Sequence, residues 1–146
     1  FSLGYPTVEE ELKMLELLQR EHPIDSLTPV VTADELVACQ KAVRDIFVDE
    51  KVRRYLMQIV HDTRTHEDLS LGASPRASIA LFRSSQAMAA LRGRNYVQPD
   101  DIKRVAGPVL THRIILRPES RLRKVTATQV VEDVIAEIAV PTLEEK

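Results

Sequence analysis

Glycine, aromatic residues and cysteine are scarce in this chain, and each scarcity excludes something. Four Gly among 146 residues, with three Phe, three Tyr and no Trp, leave too few turn glycines and aromatics for a many-stranded sheet. The glycines, at 4, 72, 93 and 107, are too scattered for a G-x-x-x-x-G-K-[ST] phosphate loop, so the chain alone cannot be a complete phosphate-transfer enzyme. The single cysteine, Cys39, excludes an internal disulfide and a multi-cysteine zinc site; it fits a reducing cytosol, and a cytoplasmic location is expected. No apolar run approaches the ~20 residues that span a bilayer and no signal peptide opens the chain, so no membrane partner is expected. A formal net charge of −2 makes no case for a polyanionic partner. His61 and His66 turn to different faces of a helix and H-E-x-x-H is absent, so no metal site is expected.

What remains is a hydrophobic fraction of 44% and a charged fraction of 29%, those of a globular domain with one core. The fold class is all-α, a single bundle of about six helices. A capping box of Thr7 with Glu10 opens the first helix, which runs to about Arg20 with Val8, Leu12, Leu15 and Leu18 on one face. After a loop containing Pro23 and Pro29, Thr32 with Glu35 opens a second, whose inward face is Leu36, Cys39, Val43 and Ile46; Cys39 is thus expected in the core. Asp49 caps a third helix that carries Val52, Leu56, Ile59 and Thr63 inward and ends near His66. Residues 67–73 read as a polar loop with a flexible Gly72. The fourth helix stops at Gly93, a left-handed C-cap, and is expected at the centre of the bundle. Gln98, Pro99, Asp100 and Asp101 open the fifth, and Pro108 kinks or ends it. Residues 113–116 are ambiguous between helix end and short strand. Thr126 with Gln129, or Thr128 alone, opens the last helix, which Pro141 ends.

The run Gly72-Ala73-Ser74-Pro75-Arg76-Ala77 is the most informative. Ser74 reads as N-cap and Pro75 as the first helical residue, which puts Arg76 near the positive end of the helix dipole, where a cation costs roughly 0.3–1 kcal/mol. Free N–H groups, the dipole and a guanidinium fork at one point would seat a phosphate. A surface ion pair of Arg76 with Glu67 or Asp68 is the other reading, and residue chemistry alone leaves both open. The basic stretch from His112 to Lys124 could track nucleic-acid phosphates, but it has no aromatics to stack bases; a solvated face or subunit contact is the favoured reading.

Three runs carry a resemblance: Gly4-Tyr5-Pro6 before an acidic helix, Leu71-Gly72-Ala73-Ser74-Pro75-Arg76-Ala77, and Leu91 through Ile102 with its Arg92-Gly93-Arg94 and Pro99-Asp100-Asp101. Together with Val109 to Arg113 and the final Val140-Pro141, they make the chain similar to the C-terminal lid of MoxR-type AAA+ ATPases. The resemblance implies that Arg76 is the sensor-2 arginine, reaching the nucleotide phosphates from the lid side of the cleft and taking part in hydrolysis. It makes Ser74, Tyr5 and Pro6 further nucleotide-binding candidates, with Tyr5 and Pro6 near the base. It implies ATP and magnesium in the full-length protein and no cofactor on the isolated chain. Its implied partners are an N-terminal AAA+ core of the same polypeptide, neighbouring subunits of a hexameric ring, and proteins with von Willebrand factor A domains. Residues 1–6 would be the connector from that missing core, 7–140 the lid and 141–146 a frayed tail. A chaperone-like or cofactor-insertion motor is the implied function. The alternatives are a magnesium-chelatase-like lid, or a helical module that binds nucleic acid or protein.

Overall fold

Local sequence sets the helix starts in the computed structural model, which describes residues 4–19 and 22–142. Thr7 accepts from Glu10 N while Glu10 Oε2 accepts from Thr7 N at 2.7 Å, the capping box that opens α1 (Val8–Leu18). The same box, Thr32 with Glu35, precedes α2 (Ala33–Arg44). In both, the backbone N–H of the capping threonine holds the glutamate carboxyl below its usual range, with the threonine hydroxyl helping. Asp49 accepts from Lys51 N and opens α3 (Glu50–Thr65); α4 spans Pro75–Leu91 and α5 Pro99–Leu110. A short α6 (Pro118–Leu122) lies in the basic stretch, and the Thr126–Gln129 capping box opens α7 (Ala127–Glu137). Arg20, the expected end of the first helix, residues 1–3 of the connector and residues 143–146 of the tail lie outside the described residues.

Packing divides the chain into two units, residues 1–38 and 39–146. In the first, none of the α1 residues is buried, and Val8, Leu12, Leu15 and Leu18 are all exposed. Leu36 and Cys39 are exposed as well, so the expectation of a core cysteine is corrected. The apolar stripe of α2 is only partly used: of its four expected positions, Val43 and Ile46 are half-buried.

The core sits in the second unit. There α3 presents Val52, Leu56, Ile59, Val60 and Thr63 inward, packing on α4, α5 and α7. Helix α5 likewise meets α3, α4 and α7, whereas α4 packs mainly on α5 and α3; the expected centrality of α4 is shared by α3 and α5. Pro108 does not end α5, which runs on to Leu110 and then tightens into a 3₁₀ turn at Thr111–Arg113. The ambiguous stretch is both: Arg113 closes the 3₁₀ turn and Ile115–Leu116 form β2, which pairs antiparallel with β1 (Leu69–Leu71), Leu69 opposite Leu116 and Leu71 opposite Ile115. Phe47 joins the segment before α5 by accepting from Val97 N and donating to Asn95 O. The described residues thus form seven helices and one two-stranded ribbon, an all-α fold whose core is built by the helices of the second unit.

Candidate functional site

Ser74 stands at the N-cap of α4 in extended backbone and Pro75 is the first helical residue, which leaves Arg76 in the first turn with no acidic side chain beside it. The Ser74 hydroxyl makes no cap hydrogen bond; instead its carbonyl accepts from Ala77 N at 2.8 Å and Ser78 N at 3.3 Å. The expected cluster of free first-turn amides is therefore corrected: Pro75 has none and Ala77 is already bonded. Among the described residues only the Arg76 amide of that turn is left unbonded. Both Ser74 and Arg76 are exposed, and among the described residues neither side chain has a hydrogen-bond or ion-pair partner.

The ion-pair reading fails for both of its candidates. Asp68 is half-buried, accepts from Ser120 Oγ at 2.6 Å, and is paired with Arg123. Its backbone carbonyl also takes Arg117 N at 2.8 Å. Glu67 has no partner among the described residues and does not pair with Arg76. The basic stretch is thus partly structural: Arg123 closes on Asp68 and Arg117 Nε donates to Leu69 O at 3.2 Å, fastening α6 and β2 to the loop before α4. At the end of that segment Lys124 adopts φ +63°, a left-handed conformation that is uncommon without glycine.

The two arginines that follow α4 contrast with Arg76. Gly93, at φ +69°, turns the chain, and Arg94 then forks onto the buried Asp101 carboxylate at 2.6 and 2.9 Å, with Arg92 at 3.5 Å. Asp101 also accepts from Gln98 N at 2.9 Å, and Arg94 donates to Tyr96 O. Burial by itself would push the Asp101 carboxyl up; the Arg94 fork, the Gln98 amide and the charges of both arginines together hold it below its usual range. Sequence reasoning missed this lock, which joins Arg94 to Asp101 seven positions on across the turn at Gly93. The legible signal was an acid at 101 on the same stripe as Ile102 and Val105.

Tyr5 and Pro6 lie ahead of α1 in the other unit and are exposed, Tyr5 fully. Among the described residues no group of three or more His, Cys, Asp and Glu could hold a metal ion, and no helix is long and apolar enough to cross a membrane.

The all-α architecture of the described residues is that of a helical lid domain. The family described as AAA lid domain matches residues 61–138, and the chain belongs to that family, as a lid of the MoxR type. It is 39% identical over 95% of its length to the uncharacterized protein YeaC of Bacillus subtilis, covering 43% of that protein. It is 28% identical over 96% of its length to chaperone MoxR1 of Mycobacterium tuberculosis, covering 39% of it. A solved structure of a candidate ATPase from Cytophaga hutchinsonii superimposes with a TM-score of 0.80 at 27% identity, over 96% of this chain and 45% of that one. The chain thus spans about two-fifths of the length of these curated relatives.

Proposed function

We propose that this lid serves a MoxR-type ATPase motor of chaperone-like or cofactor-insertion type, and that Arg76 is its sensor-2 residue. The observation that carries the reading is an exposed guanidinium without a partner, fixed near the positive end of α4 while the nearby Asp68 is engaged elsewhere. A cation there raises the energy of the isolated lid by roughly 0.3–1 kcal/mol, and a phosphate brought against it would reverse that sign. The planar fork suits two oxygens of a γ-phosphate, and the unbonded Ser74 hydroxyl stands ready as a further donor. ATP supplies the transferable phosphoryl group; Arg76 would stabilise charge on it and register its loss, so that lid and core move together. Tyr5 and Pro6 are the proposed contacts to the base. Magnesium ligands and the phosphate loop are assigned to an AAA+ core of the same polypeptide. Hexameric rings and a von Willebrand factor A domain partner complete the proposal, which takes the cytoplasm as its setting.

The test is steady-state hydrolysis by the full-length ATPase carrying Arg76→Ala. Hydrolysis should fall by roughly 10- to 100-fold, the range for losing a charge-assisted contact of ~1.5–3 kcal/mol. The melting temperature should hold or rise slightly, because a misplaced charge is removed. Unchanged hydrolysis overturns the assignment.

A further inference from the structure

The loop that delivers Arg76 is gripped from one side by the last turn of α3. Thr63, fully buried, donates its hydroxyl to Val60 O at 2.6 Å and accepts Ala73 N through the same oxygen at 3.0 Å. Arg64 Nε donates to Ala73 O at 2.9 Å. Both polar groups of the residue before the N-cap are therefore held by two consecutive residues of another helix. Gly72 makes the approach possible: a Cβ there would lie 2.5 Å from both Arg64 Cα and Thr63 O, closer than a side chain tolerates. On the far side the β1–β2 pairing and the Asp68 clasp hold residues 68–71.

We propose that Thr63 and Arg64 are positioning residues for the phosphate-sensing arginine, setting where the start of α4, and with it the Arg76 fork, stands. The inference rests on the sensor-2 reading of Arg76. Thr63 fixes the height of Ala73 by its amide and Arg64 fixes its rotation by its carbonyl. Ser74, Pro75 and Arg76 follow without a side-chain tether of their own, so this grip is what transmits the frame of the bundle to the guanidinium. Arg64 does so without touching a ligand. Its Nε is given to Ala73 O, whereas no nitrogen of the Arg76 guanidinium is bonded among the described residues.

The experiment is a double-mutant cycle on hydrolysis by the full-length ATPase, with Arg64→Ala and Arg76→Ala alone and combined. Arg64→Ala should lower hydrolysis on the order of tenfold, within the ~100-fold that a 1 Å misplacement can cost, and should have no further effect once Arg76 is alanine. Thr63→Val should act in the same direction, and Thr63→Ser, which keeps the hydroxyl, should restore most of the rate. If Arg76→Ala lowers hydrolysis while Arg64→Ala leaves it unchanged, or Arg64→Ala lowers it equally in both backgrounds, the positioning role is overturned and the sensor-2 reading stands. A Thr63→Ser rate as low as that of Thr63→Val also overturns it. If Arg76→Ala itself has no effect, both fall together.

Discussion

Arg94 gives both terminal guanidinium nitrogens to a buried carboxylate, whereas Arg76 gives its own to no group among the described residues. The difference follows from position. Arg94 lies just past a left-handed glycine that folds the chain back onto the first turn of α5, where Asp101 stands on the buried stripe; Arg76 lies on an outward face before any such turn. The Arg94–Asp101 pair ties two helix ends together, and removing one partner leaves the other uncompensated. Asp101→Asn should lower the unfolding free energy by about 3 kcal/mol, as urea denaturation would measure. The pH dependence has a definite sign. The folded Asp101 carboxyl titrates below the unfolded value of about 3.9, so its stabilisation is present above that value and is lost as pH falls through the folded one. Between about pH 5 and about pH 2 the native chain should lose more stability than the Asp101→Asn variant does.

At the scale of elements, the starts of α1, α2, α3, α5 and α7 were legible because capping depends on residues within three or four positions. The burial face of α3 was legible for the same local reason, through its 3.6-residue period. What local sequence could not show is what lies across from a residue. Cys39 is on an apolar stripe yet exposed, and Gly72 reads as flexible only until α3 is seen against it. Asp68, with its partners Ser120 and Arg123 about fifty positions away, carries no sequence signal at all. Gly72 offers the sharpest test at this scale. Gly72→Ala has an ordinary φ, so no left-handed strain is involved; the added methyl must push the loop off α3. A loss of about 2 kcal/mol in chemical denaturation is expected, and a neutral outcome would mean the loop is not seated as described.

For the whole molecule, fold class was readable from composition and helix caps, because an all-α fold is built from local signals, while the family was readable only through the resemblance carried by the Ser-Pro-Arg run and its neighbours. The candidate site was half readable. Arg76 was identifiable by its electrostatic misfit, but whether Asp68 neutralised it depended on tertiary packing, and the packing directs Asp68 to α6. The proposed sensor-2 role requires Arg76 to engage the terminal phosphate of ATP. Equilibrium titration of the full-length ATPase with ATP and with ADP, native against Arg76→Ala, tests it most directly. ATP affinity should fall roughly 10- to 100-fold in the variant while ADP affinity stays within about twofold, since only ATP presents the group the fork would hold. Equal losses for both nucleotides, or no loss for either, would contradict it.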